Sequence, residues 1–95
     1  MYASIVETHA KPGKTEDLIA AVTAALPELG QVAGIKQLIT LDMGDDKGLS
    51  VVVYESEADR EAAQPIAQEI LGRWADLYAA MPKRQGGEVL INESF

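Results

Sequence analysis

Cysteine is absent from this 95-residue chain, and histidine occurs once, at position 9. Without cysteine the chain has neither a disulfide nor a thiolate that could act as nucleophile or metal ligand. A single histidine also excludes the paired-histidine motifs of common zinc sites. The sequence therefore predicts no metal site, although a site built from carboxylates alone stays open.

Basic residues are scarce as well. Lysine and arginine total 8 against 15 aspartates and glutamates, which gives a formal net charge of -7. The basic residues are scattered singly, except for the pair Lys83-Arg84. Such a chain repels a phosphate backbone instead of neutralising it. We therefore expect no nucleic-acid partner.

Long apolar runs are also missing. None approaches the roughly 20 residues of a membrane-spanning helix, and Glu7 lies where a secretory signal would need apolar residues. These features predict a cytoplasmic protein that does not bind a membrane. What is present is 47% hydrophobic and 24% charged residues, an ordinary balance for one globular domain over residues 1–95.

Periodicity predicts two strand-helix-strand units in succession. The first unit is a strand at 2–9, a helix from Thr15 that ends by Gly30 or Gly34, and a strand at 35–42. A hairpin loop at 44–48 leads to the second unit, which begins with a strand at 49–55 and continues with a helix from Ser56 to Met81 that is interrupted at Gln64. A loop at 82–87 and a last strand at 88–93 complete the prediction. This is an α+β pattern, a four-stranded antiparallel sheet with two helices on one face. The other face then needs a partner.

Side-chain alternation along the strands divides the sheet into two faces. The nearly all-aliphatic set is predicted to lie under the helices: Ala3, Ile5, Ile35, Ile39, Leu41, Leu49, Val51, Val53, Val89 and Ile91. The opposite set mixes polar and apolar residues and includes Tyr2, Ser4, Val6, Val52 and Tyr54. A monomer would leave that mixed face wet, so we predict a homodimer through it.

Two stretches carry a resemblance to a known family. Lys11-Pro12-Gly13-Lys14 ends the first strand, and the run from Val52 to Ala58 leads into the second helix. With the Gly34-Ile35 entry to strand two, this pattern resembles the dimeric α/β-barrel superfamily, in particular its antibiotic-biosynthesis-monooxygenase-like members. The resemblance implies a ferredoxin-like βαββαβ fold with strand order 4-1-3-2, a sheet-to-sheet homodimer, and a pocket between sheet and helices.

Haem-degrading members of that superfamily are expected to have an asparagine on the first strand and a tryptophan and a histidine on the second helix. By spacing, those places hold approximately Ile5, Ala62 and Gly72 here. Haem degradation is therefore not expected. The cofactor-independent oxygenases of the family imply proton removal from an electron-rich phenol or enol, whose anion then reacts directly with dioxygen, and we expect no cofactor.

The predicted topology brings an acid, an imidazole, an indole and a phenol to one end of the pocket. Glu7 and His9 are the candidate catalytic bases, and Trp74 and Tyr78 are candidate binding groups for a flat substrate. Arg73 adjoins Trp74 and could reach an anionic substrate. Two classes of function stay open. The first is a cofactor-independent monooxygenase acting on a small aromatic or enolic molecule, which a cavity holding Glu7 would favour. The second is a non-catalytic small-molecule-binding or assembly protein, which a filled helix-sheet layer would favour.

Overall fold

The computed structural model describes residues 1–95 as a four-stranded antiparallel sheet with helices on one face. The elements are β1 (Tyr2–Ala10), α1 (Thr15–Leu29), β2 (Ile35–Gly44), β3 (Lys47–Tyr54), α2 (Glu57–Ala62), α3 (Gln64–Gly72) and β4 (Tyr78–Glu88), with a short 3-10 turn at Ala75–Leu77. The strand order is β2-β3-β1-β4, which confirms the predicted ferredoxin-like order. The first strand therefore lies inside the sheet, between β3 and β4.

The β2–β3 hairpin is tighter than predicted. Gly44 pairs with Lys47, so only Asp45 and Asp46 form the turn. Both have positive φ angles, 54° and 60°, as a two-residue type I′ turn requires. Aspartate tolerates this left-handed region better than most residues, because its short polar side chain can bond locally.

The second helical region is divided in two, as Pro65 predicts. Ser56 caps α2 by accepting a hydrogen bond from the Asp59 N–H at 3.2 Å, and its hydroxyl donates to the Asp59 carboxylate at 2.9 Å. Pro65 then stands in the first turn of α3, where its missing N–H has no intrahelical partner to lose. No helix of this structure combines the length and the apolarity that crossing a membrane requires.

The region after α3 differs from the prediction. The apolar stripe was expected to remain helical to Met81, but α3 ends at Gly72 and Tyr78 begins β4. The stretch 82–87, predicted as a loop, lies within that strand. β4 pairs only with β1, so it is an edge strand, where a proline such as Pro82 is tolerated. A register shift next to Pro82 marks the irregularity.

The predicted assignment of the two sheet faces is wrong. Ser4, Val6 and Tyr54, assigned to a dimer face, are buried beneath the helices. Most of the aliphatic set lies instead on the face without helices, which we call the open face, where Ile5 is 44% and Ile39 43% exposed. Ile35 is an exception that lines the cavity, and Val89 and Ile91 follow the end of β4. Several polar members of the mixed set, such as Thr40, Ser50 and Tyr54, line a cavity, so they do not have to enter a dry core.

Candidate functional site

A cavity of about 170 Å³ lies between the sheet and the helices. Its lining is mainly hydrophobic, 19 of 28 residues. The sheet contributes the mixed set described above, among them Val6, Leu38 and Val52, and the helices contribute apolar residues such as Leu18 and Ile70. A mostly apolar cavity with a few polar groups is the usual form of a small-molecule site.

Trp74 and Tyr78 both line this cavity, as the sequence predicts, although neither lies on a helix. Tyr78 is positioned by its pairing with Ala10 in the sheet, and it forms a buried cluster with Ala10 and Leu18. Trp74 packs against that cluster from the turn before β4. The sequence thus placed the two aromatic side chains at the same end of the cavity correctly.

The hydroxyl of Tyr78 is buried and has no hydrogen-bond partner. Burial raises the pKa of this phenol to about 12, so near neutral pH the side chain is an uncharged donor. An unsatisfied buried hydroxyl costs about 1–3 kcal/mol. A ligand oxygen in the cavity would supply the missing acceptor.

Arg84 also lines the cavity, although it is not among the site residues predicted from the sequence. Its pairing with Val6 in the middle of β1 points both side chains to the helix side. The residue is partly buried and has no carboxylate within ion-pair distance. The pair Lys83-Arg84 was visible in the sequence, but treating that stretch as a loop removed the alternation that assigns Arg84 to the cavity.

Glu7 and His9 do not join this site. They lie on exposed positions of β1 and border a separate, more open cleft, whereas Trp74 and Tyr78 line the cavity under the helices. The predicted convergence of all four side chains is therefore wrong. Glu7 pairs with Lys83 across the open face, and alternation places both away from the helices.

Arg73 is likewise held elsewhere. Its guanidinium donates to both carboxylate oxygens of Glu28, at 2.7 and 2.9 Å, and to Glu69 at 2.9 Å. These hydrogen bonds raise the pKa of the guanidinium above its already high value. Arg73 does not line the cavity. Its donors are already engaged in joining α1 to α3, which leaves its predicted contact with a substrate without support from its position.

An aspartate of the hairpin turn, Asp46, also lines the cavity. Asp46 accepts hydrogen bonds from the Thr15 hydroxyl at 2.7 Å and from the Gly13 N–H at 3.2 Å. These bonds hold the pKa of the Asp46 carboxyl below its usual value. Thr15, predicted as a helix cap, instead ties the start of α1 to the hairpin.

Acid should weaken this connection between the hairpin and α1. A carboxylate whose pKa is lowered by folding contributes stability above its unfolded pKa, about 4, and loses that contribution as pH falls through the folded value. Urea unfolding should therefore find that the stability lost in Asp46→Asn is largest at pH 7 and becomes smaller as the pH falls below about 4. A loss that stays equal across this pH range would contradict this role for the charge.

Solved structures with the same fold were found by comparison of coordinates. A protein of unknown function from Nitrosomonas europaea is 25% identical, with a TM-score of 0.83 over 98% of this chain and 92% of that one. A candidate antibiotic biosynthesis monooxygenase from Bordetella bronchiseptica is 18% identical, with a TM-score of 0.78 over 95% and 97%. The chain has the antibiotic biosynthesis monooxygenase-like fold. No family model and no curated protein matches the sequence.

Another structure with this monooxygenase-like fold binds a porphyrin. It is a mutant of MhuD with two manganese protoporphyrin IX molecules per active site, 16% identical, with a TM-score of 0.80 over the whole of both chains. The cavity of the present chain is lined by no histidine, cysteine or methionine, the usual axial ligands of haem iron. No group of three histidine, cysteine or acidic side chains is arranged to hold a metal ion. Tyrosine, another axial ligand of haem iron, is present in the lining as Tyr54 and Tyr78.

Proposed function

We propose that the cavity binds a small aromatic or enolic molecule and that the protein oxidises it with dioxygen without a cofactor. The observation that carries this proposal is the unpartnered Tyr78 hydroxyl in a mostly apolar cavity beside Trp74. The indole offers a flat apolar surface for a ring. The fold is also that of several candidate monooxygenases.

The reaction is a four-electron oxidation in which the substrate supplies all the electrons. Loss of a proton gives a carbanion or enolate, whose carbon forms a bond to dioxygen, and protonation gives a hydroperoxide. The oxygen-oxygen bond then breaks as the remaining C–H electron pair forms a carbonyl group, and water leaves. In balance, a methylene carbon of the substrate and a molecule of dioxygen give a carbonyl group and a molecule of water.

Proton removal is easiest for a substrate that is already acidic, because both carboxylates of the cavity lining are engaged in hydrogen bonds. Asp42 and Asp46 are its only carboxylates. Asp42 accepts a hydrogen bond from the Gly44 N–H at 2.9 Å, and Asp46 is bonded to Thr15. We therefore expect activity to be confined to substrates that ionise readily in water.

A second candidate function is binding without catalysis. It is favoured by the position of Glu7 and His9, which leaves the cavity without the base that the monooxygenase hypothesis expected. The competing expectation of a filled helix-sheet layer is not met either, since Trp74 and Tyr78 line a cavity and Met81 is 79% exposed. Both candidates therefore require a ligand in the same place.

Tyr78→Phe tests the site and separates ligand binding from folding. Removing the unpartnered hydroxyl should raise the free energy of unfolding by about 1 kcal/mol. The same change should lower kcat/KM for oxygen-consuming turnover of a quinol or polyphenol by about tenfold, because one ligand hydrogen bond is lost. Urea unfolding and an oxygen electrode measure the two effects.

The matched control is Tyr2→Phe, which removes a hydroxyl outside the cavity lining and should leave turnover unchanged. Binding of the same quinols without oxygen uptake would favour the non-catalytic candidate. Equal turnover by both variants would contradict a role for Tyr78 in the site.

We also propose that two copies of the chain pair through their open faces. Support comes from the side chains there: Ile5, Ile39, Leu41 and Val51 lie on a sheet face that no helix covers. A contiguous apolar surface of this kind is typical of an interface. The proposed dimer leaves each helix-sheet cavity within its own subunit.

A further inference from the structure

We infer that the ligand of this cavity is an organic acid, with its carboxylate on Arg84 and a second oxygen atom on the Tyr78 hydroxyl. The inference rests on the proposed function only in taking the cavity as the ligand site. It adds the charge of the ligand, its approximate length and the residue that selects it.

Two arginines near this site have no acidic partner. The chain has 15 acidic residues against 8 lysines and arginines, yet Arg60 and Arg84, both partly buried, belong to no ion pair. Arg73, by contrast, takes two carboxylates on the surface. A partly buried cation without a counter-ion is costly. An anionic ligand would reduce that cost.

The local structure holds these guanidinium groups at the sheet. The Arg60 Nε donates to the Ser4 hydroxyl at 2.8 Å, and Ser4 is completely buried. Gly86 makes room for Arg60, since a Cβ at that position would lie 2.9 Å from the Arg60 Cζ. Arg60 is therefore fixed beside β4, two residues along the strand from Arg84.

Arg84 keeps most of its hydrogen-bonding capacity. The only hydrogen bond that its side chain makes runs from Nη2 to the Arg60 carbonyl oxygen. At 3.5 Å, this contact is at the upper limit of hydrogen-bond length. A guanidinium has five N–H donors in a planar fork that matches a carboxylate. The group is thus free to bind a carboxylate at the cavity with two parallel hydrogen bonds.

The sheet register sets the length of the ligand. Arg84 pairs with Val6, and Tyr78 pairs with Ala10. The Cα atoms of Arg84 and Tyr78 are therefore about 13 Å apart along the direction of β1. Both side chains line the cavity, and a two-ring molecule with a polar group at each end has a length of this order. The cavity wall between them is apolar, including Val52 and Ile70. The ligand that matches these positions is an aromatic acid with a hydroxyl or keto oxygen at the end opposite its carboxylate.

The experiment compares an acid with its neutral counterpart. Isothermal titration with 6-hydroxy-2-naphthoate and with 6-hydroxy-2-naphthamide measures the contribution of the charge, and emission from Trp74, the single tryptophan, reports binding in the cavity. We expect the acid to bind at least tenfold more tightly than the amide. Raising the salt concentration should reduce that ratio.

Variants at adjacent positions assign the effect to one residue. Arg84→Gln should bring the acid-to-amide ratio close to one while leaving the affinity for the amide nearly unchanged. Lys83→Gln makes the same charge change on the open face and should retain the full ratio. Because the comparison of acid with amide is also made in the unmodified protein, it remains decisive if Arg84→Gln does not fold.

The failures of the two proposals are distinguishable. Equal binding of acid and amide, with a change in Trp74 emission, would overturn the inference and leave the cavity as a ligand site. No binding of either probe and no change in emission would overturn both. If Lys83→Gln also reduced the acid-to-amide affinity ratio to one, the selectivity would come from the net charge of the protein and not from Arg84.

Discussion

Val51→Asp is expected to yield a folded monomer. Val51 lies on the open face, between Ile5 on β1 and Ile39 on β2. In the proposed dimer each copy of the substitution would place an unpaired carboxylate in an apolar contact. Two such charges should weaken association by about a thousandfold. The cavity and its lining lie on the other side of the sheet, so the fold should be retained.

Sedimentation velocity at micromolar concentration, with circular dichroism for the fold, checks this result. Val51→Thr, which keeps the β-branched shape without a charge, should remain dimeric. Val52 is the neighbouring residue on the cavity side, and Val52→Asp should lower stability instead of dissociating the dimer. Dissociation by Val52→Asp together with a dimeric Val51→Asp would restore the face assignment predicted from the sequence.

Gly34→Ala is expected to destabilise the protein by about 3 kcal/mol, from left-handed strain together with displacement of the Asp59 side chain. The φ angle of Gly34 is 77°, a region that glycine occupies without strain. A Cβ there would overlap the side chain of Asp59. The Asp59 side chain would have to move, and its carboxylate would lose the hydrogen bond from the Ser56 hydroxyl at the start of α2.

Gly13→Ala separates the two causes of this loss of stability, the left-handed strain and the displacement of the Asp59 side chain. Gly13 has nearly the same φ angle, 75°, but no atom lies within 4 Å of its added Cβ. It should therefore lose only the conformational part, about 1 kcal/mol. Urea unfolding at equal protein concentration compares the variants, since the stability of a dimer depends on concentration. Equal losses would mean that the contact with Asp59 relaxes without cost.

Local chemistry made most of the element order predictable. Thr15 and Ser56 mark the helix starts to within a residue or two, and Pro65 identifies the break between α2 and α3. The hairpin follows from turn-forming residues around Asp45. These signals act over a few residues, so they are visible without knowledge of the rest of the fold.

The sheet faces could not be assigned from hydrophobicity, because aliphatic side chains are compatible both with a core under the helices and with the open face. A filled core would have placed Ile5 and Val51 under the helices. A cavity beneath the helices instead accepts polar side chains such as Ser50, and the aliphatic side chains are left for the open face. Alternation reveals which residues share a face but not what that face contacts.

The candidate site was predictable only in part. Trp74 and Tyr78 line the cavity, but the helix to Met81 from which they were predicted ends at Gly72. Glu7 and His9 were placed in the cavity because of the reversed faces. Arg84 was missed because proline and glycine on either side of it indicate a loop. Only the pairing of β4 with β1 shows that these residues form an edge strand.

The position of β1 inside the sheet determines the order in which the molecule can assemble. β2 and β3 are neighbours in sequence, and a hairpin of this kind forms in about 1–10 μs. β1, synthesised first, pairs on one side with β4, so that Tyr2 meets Glu88 near the other end of the chain. The entropy of closing so long a loop is compensated only when the last strand joins. During synthesis, β1 therefore keeps one edge unpaired until the residues of β4 have been made.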